Sequence, residues 1–170
     1  EESYGYLSGG YVRDKDAVDG SMLICEMTQY YKEKGMTLVD AIHALYEKYG
    51  YYVNGVVNQA FEGEAGMKQM TAIMENLRQN PPAAIAGHAV VGHSDYKESV
   101  RVEKGETSEI HLPKSNVLEY RMDNGCKLIV RPSGTEPKIK IYLSGKGATQ
   151  QESEALVEKM KQDVPALLGI

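Results

Sequence analysis

Arg131-Pro132-Ser133-Gly134-Thr135-Glu136-Pro137-Lys138-Ile139-Lys140 crowds one Arg, two hydroxyls, a Gly and two Lys into a short stretch between strand-like runs. Arg131 offers a planar fork and Ser133 and Thr135 offer hydroxyls. A tight bend would also turn the Gly134 and Thr135 amides inward. Lys140, on the returning strand, adds a point charge. Those groups suit the terminal oxygens of a phosphate. An ordinary hairpin with solvated charges is the competing reading of any Arg-Ser-Gly-Thr taken alone.

A second stretch, Glu1-Glu2-Ser3-Tyr4-Gly5, places carboxylates and a hydroxyl on a short turn. A carboxylate accepts hydrogen bonds from two vicinal hydroxyls at once, and a neighbouring Ser donates or accepts one more. That chemistry fits the edge of a sugar ring. By itself the stretch reads first as a solvated acidic terminus. Arg13-Asp14-Lys15-Asp16 follows with mixed signs, the pattern of a surface salt-bridge cluster worth little.

These stretches need elements to hold them. Residues 1 to about 15 read as a Gly- and Tyr-rich loop. From about Asp16 to Lys34, Met22, Ile24, Cys25, Met27 and Tyr31 fall at helical spacing, and Gly35 stops the helix. Thr37 caps a second helix, with Asp40 in its first turn and Val39, Ile42, Leu45, Tyr46 and Tyr49 as its inner stripe. Two short helices in series resemble the end of an α/β unit. Composition shifts at Tyr51, where a strand begins and runs to Phe61, with Gly55 as a candidate bulge. Gly63 to Gln79 is an amphipathic helix stopped by Pro81-Pro82, and Ala84 to Gly92 reads as a further strand. His93 to Asn116 is polar and poorly periodic, with a short strand near Ser99–Val102. Val117 to Met122 alternates, Asp123-Asn124-Gly125 supplies a turn with positive backbone angles, and Cys126 to Arg131 returns. That hairpin delivers Arg131 straight into the phosphate loop. Lys138 to Ser144 then sets Ile139, Ile141 and Leu143 on one face and Lys138, Lys140 and Tyr142 on the other. Thr149 and Glu152 form a capping box for a last helix. The pattern predicts an α+β domain over residues 51–170: a mainly antiparallel sheet with helices on one face, preceded over residues 1–50 by the tail of an α/β domain.

The chain has 170 residues, 42% hydrophobic and 25% charged, ordinary values for a globular core. A net charge of −5 disfavours a general nucleic-acid or anionic-membrane surface, so any anion site must be local. No apolar run is long enough to span a bilayer. Cys25 and Cys126 carry no pairing motif and are expected as buried small hydrophobes in a reducing cytoplasm. His43, His88, His93 and His111 lack the spacing of a metal site, and Glu62 and Glu64 charge a helix N-terminus. The chain begins without Met, in what reads as a polar loop, and is expected to be a fragment of a longer protein.

Taken together, the two loops resemble those of the α-D-phosphohexomutases, in the form found in phosphoglucomutases. Glu1-Glu2-Ser3-Tyr4-Gly5 is similar to that family's sugar-specificity loop, and Arg131 to Pro137 to the phosphate-binding loop of its last domain. Tyr11 to Asp16 is similar to the segment after the sugar loop, although Tyr11 stands where a His is common. The resemblance covers essentially the whole chain. It implies that residues 1–50 close the third domain and residues 51–170 form the fourth. It implies that Glu1 and Ser3 bind sugar hydroxyls. It further implies that Arg131, Ser133, Gly134, Thr135 and Lys140 hold the phosphate not being transferred. Lys15 matches a Lys near the transferring group in some members; a salt bridge to Asp14 or Asp16 is its alternative role.

The resemblance also implies what lies elsewhere. Such enzymes use a phosphoserine loop and an Asp-rich loop that holds Mg2+, and pass through glucose 1,6-bisphosphate. Neither loop occurs here, so this chain is expected to supply recognition and to be inactive alone, with no metal ligands of its own. The implied partners are a phosphorylated hexose and the missing N-terminal domains, with no nucleic acid or membrane. Phosphomannomutase, phosphopentomutase and phosphoglucosamine mutase remain alternatives, as does a non-catalytic sugar-phosphate-binding module.

Overall fold

In the computed structural model, residues 6–170 are described. They divide into two compact units, with the break between Tyr49 and Gly50.

The first unit holds two helices, α1 (Ala17–Glu33) and α2 (Leu38–Tyr49). Asp16 caps α1, its carboxylate accepting from the Val18 and Asp19 amides. Gly35, at φ +70, ends it, and the Met36 amide turns back to the Tyr31 carbonyl at 3.0 Å. Thr37 and Asp40 close a reciprocal box at the start of α2. The Asp40 amide donates to Thr37 Oγ1 at 3.1 Å and the Thr37 amide to Asp40 Oδ2 at 2.8 Å. The inner stripes expected from periodicity are not covered. Met22, Ile24 and Met27 of α1 and Val39, Ile42, Leu45 and Tyr49 of α2 are exposed, and only Gly20 and Ala41 are buried in these helices. An apolar stripe needs an opposing layer, and this unit has no strand among the described residues. Cys25 lies on the same open helix, exposed rather than buried as expected; Cys126 is buried.

The second unit is built on β1 (Tyr51–Ala60), β2 (Ala84–Ile85), β3 (His88–Asp95), β4 (Val100–Glu103), β5 (Glu106–Glu109), β6 (Leu118–Met122), β7 (Lys127–Pro132) and β8 (Lys138–Gly147). Its helices are α3 (Gly63–Gln79) and α4 (Gln150–Leu168). The strands form one sheet in the order β1-β8-β7-β6-β3-β4-β5, with β2 paired to β3, and every pairing is antiparallel. This is the α+β architecture expected.

Strand alternation decides which face is covered. Leu128 and Val130 of β7, Ile139, Ile141 and Leu143 of β8 and Tyr120 of β6 are almost fully buried. They share one core with Met70, Ile73, Met74 and Leu77 of α3 and Val157, Met160 and Val164 of α4. Two of these helices are tied down by polar contacts: Tyr120 Oη donates to the Leu77 carbonyl at 2.9 Å, and the Ala86 amide donates to Asp163 Oδ2 at 2.6 Å. Small residues set how closely α4 lies on the sheet. A Cβ at Gly145 would meet the Ser153 carbonyl oxygen at 2.5 Å, and one at Gly55 would meet Val157 Cγ1 at 2.8 Å. Gly55 is therefore a close-approach residue and not the bulge expected, since β1 and β8 pair without a break. The one register shift recorded in the sheet lies in β3, between Val90 and Gly92.

The stretch from His93 to Asn116 is more regular than its sequence suggests. It completes β3 and forms the β4–β5 hairpin, and the expected Ala84–Gly92 strand splits into the β2–β3 hairpin. Both tight turns put two successive residues at positive φ, Ala86-Gly87 and Lys104-Gly105. At Asp123-Asn124-Gly125 only Gly125 is positive, because the Asn124 side chain accepts from the Cys126 amide and the Gly125 amide closes on the Met122 carbonyl.

Candidate functional site

β7 and β8 are long, buried on one side and paired without a slip from Lys127 to Pro132. That register puts Arg131 directly opposite Lys140, with Asn58 of β1 on the far side of Lys140. These residues alternate with the core-facing Val130, Ile139 and Ile141, so they belong to the face that carries no helix. Like charges directly opposite one another are unfavourable in a sheet. The arrangement becomes favourable when an anion lies between them.

The connection beyond Arg131 is closed at its base. The Ser133 amide donates to the Lys138 carbonyl at 2.7 Å and the Lys138 amide to the Glu136 carbonyl at 2.8 Å. The Phe61 amide donates to the Pro137 carbonyl at 2.8 Å, tying the loop to the end of β1. Inside the bend, Ser133 Oγ accepts from the Thr135 amide at 3.4 Å and the Glu136 amide at 3.3 Å. The Thr135 amide is thus turned onto Ser133, where the sequence suggested it would face a ligand. Both bonds are long, and the Ser133 hydroxyl keeps its proton to donate.

Arg131, Pro132, Ser133, Gly134, Thr135, Glu136, Lys138 and Lys140 line one cavity of about 370 Å³. The structure therefore brings together five residues singled out in the second unit: Arg131, Ser133, Gly134, Thr135 and Lys140. Lys138 and Glu136 complete the lining, and their side chains pair at 2.9 Å. Lys138 was legible as a member of the Lys140 face; Glu136 lies within the loop singled out but was given no role there, because a carboxylate is not expected in an anion site. The Lys138 hydrogen bond and charge, with a smaller pull from Lys140, hold the Glu136 carboxyl below its usual range. The lining is polar and cationic, with little apolar surface to attract an uncharged ligand.

Behind the loop, a small cavity of about 110 Å³ is lined by Ser133, Pro132, Arg78, Asn116 and others. Arg78 of α3 there donates to Asp95 Oδ2 at 2.7 Å and to Asn116 Oδ1 at 2.9 Å, and pairs with Glu75 at 3.1 Å. This half-buried fork joins α3, the end of β3 and the 110s connection beneath the bend.

The other residues picked out are in the first unit. Glu1 and Ser3 lie outside the described residues. Lys15 is exposed in the loop before α1, its amide donating to Asp14 Oδ1 at 2.8 Å, while the Asp16 carboxylate caps α1. His88 pairs with Asp123 at 3.2 Å. Among the described residues, no group of three or more His, Cys, Asp or Glu converges to hold a metal ion. No described helix is long and apolar enough to cross a membrane.

Comparison with known proteins points the same way as the loop. The chain is 42% identical over 146 residues to a phosphoglucomutase of Staphylococcus haemolyticus (strain JCSC1435), covering 85% of this chain and 26% of that protein. It is 44% identical over the same length to a phosphoglucomutase of Staphylococcus aureus (strain bovine RF122 / ET3-1), with the same coverage. The chain therefore spans about a quarter of the length of these curated relatives. The aligned length exceeds the second unit, so the likeness reaches into the first. Residues 56–162 match the family described as phosphoglucomutase/phosphomannomutase, C-terminal domain, a span that takes in most of the sheet, all of α3, the greater part of α4 and the whole cationic loop. The chain belongs to that family.

Proposed function

We propose that this chain is the recognition end of a phosphoglucomutase, a protein that interconverts glucose 1-phosphate and glucose 6-phosphate. Turnover in such a protein goes through a phosphoserine and glucose 1,6-bisphosphate. The observation that carries the reading is the shared focus of Arg131, Ser133, Thr135, Lys138 and Lys140 on one cavity. The names of the relatives favour glucose over other hexoses. The serine nucleophile, the Mg2+ ligands and the remaining domains would come from the rest of the polypeptide, in a cytoplasmic enzyme. The described residues offer no fit for the metal, and the isolated chain is expected not to turn over.

The role of the loop follows from the reaction's symmetry. A bisphosphate that turns around must present either phosphate to the same clamp, so the clamp recognises phosphate strongly and the sugar weakly. Arg131 supplies a fork for two oxygens, the Ser133 and Thr135 hydroxyls donate to others, and Lys140 neutralises charge. Energy from this remote grip then orients the reacting end. In the first unit, Glu1 and Ser3 would accept and donate to sugar hydroxyls, and Lys15 would lie near the transferred group.

Charge-assisted hydrogen bonds are worth about 1.5–3 kcal/mol each. At about 1.36 kcal/mol per decade, Arg131→Ala in the full-length protein is expected to lower kcat/KM by roughly tenfold to several-hundred-fold. Steady-state kinetics with glucose 1-phosphate test this, and an unchanged kcat/KM would remove the clamp from the mechanism.

A further inference from the structure

We propose that Glu136 is a built-in competitor for the ligand phosphate, a carboxylate that holds Lys138 until a phosphate displaces it and so sets the strength of the grip. The inference rests on the phosphate reading above and names the residue that tunes it. An anion site gains nothing from a carboxylate in its wall, yet Glu136 lines the cavity beside Arg131, Lys138 and Lys140. Its position is built in: its own amide is held on Ser133 Oγ at 3.3 Å, and its Oε2 reaches Lys138 Nζ at 2.9 Å. The pair is easily broken, since the two side chains are 63% and 31% exposed, and exposed ion pairs contribute little.

Charge balance explains its use. Three cations and one carboxylate leave the lining at +2, which matches a phosphate monoester of about −1.5 to −2 near neutral pH. Without Glu136 the lining is +3 and holds a phosphate more tightly. A clamp that must release one phosphate and accept another in each turnover is better served by the weaker grip. The opposite role, a strut that merely places Lys138 for the ligand, gives the opposite sign on removal.

The test is an NMR titration of the 15N-labelled 170-residue chain with inorganic phosphate and then glucose 1-phosphate at low ionic strength. Wild type, Glu136→Gln and Arg131→Ala are compared. The expected result is amide shifts at Ser133, Gly134 and Thr135, with Kd roughly three- to tenfold lower in Glu136→Gln and the gap shrinking at high salt. Binding that is unchanged or weaker in Glu136→Gln overturns the competitor role and leaves the phosphate site standing. No shifts in wild type or Glu136→Gln, or shifts that persist equally in Arg131→Ala, sink the phosphate reading and this inference with it.

Discussion

At the scale of single residues, carboxylates in this chain are placed by the donors around them. Glu136 is drawn to Lys138, Asp16 to the first amides of α1, and Asp40 to both the amide and the hydroxyl of Thr37. For Asp40 the Thr37 side-chain bond, then its backbone bond, lower the carboxyl below its ordinary value of 3.8. A depressed carboxylate contributes stability above its unfolded pKa and loses it as pH falls through the folded one. The start of α2 is therefore expected to stay capped down to about pH 4 and to fray below it. Amide shifts of Thr37 and Asp40 followed from pH 6 to pH 2 check this, and a midpoint above 3.8 would contradict it.

At the scale of elements, α4 is seated on β8 and β1, and β8 is one of the two interior strands from which the loop grows. That seating depends on bare backbone at Gly145, where an added Cβ would lie 2.5 Å from the Ser153 carbonyl oxygen. Backbone cannot swing aside as a side chain can, so α4 must lift. Gly145→Ala is expected to destabilise the second unit by roughly 1–3 kcal/mol, read from urea unfolding. Loss of less than a few tenths would mean that α4 slides freely. The Arg78 fork acts differently. It joins residues 17 and 38 positions away from it, tying α3 to the end of β3 and to the connection before β6.

At the scale of the whole molecule, the two units differ in how much they bury. The second has one continuous core between a single face of the sheet and α3 and α4, whereas α1 and α2 bury only Gly20 and Ala41. Local stability follows buried apolar surface. Amide hydrogen exchange is expected to be fastest in α1 and α2 and slowest in β6, β7 and β8, by two or more orders of magnitude. Equal protection across both units would show that the helices have found a cover. The chain spans about a quarter of the length of the curated relatives it matches.

Much of this protein is written in short-range pattern. The alternation in β7 and β8 separated Arg131 and Lys140 from the core, the Thr37–Asp40 and Thr149–Glu152 spacings marked helix starts, and Gly35 marked an end. Each depends on residues a few positions apart, where propensity and sterics act directly. What needed the folded chain was convergence. In the Ala86-Gly87 and Lys104-Gly105 turns, Ala86 and Lys104 do not favour positive φ on their own, and strand pairing on either side imposes it. Burial of Cys126 and exposure of Cys25 depend on which layer faces each. Glu136 stands in the same short stretch as its cations, but that its carboxylate pairs with Lys138 in the wall of the cavity was decided by how the bend closes, with the Ser133 amide on the Lys138 carbonyl and the Glu136 amide on Ser133 Oγ.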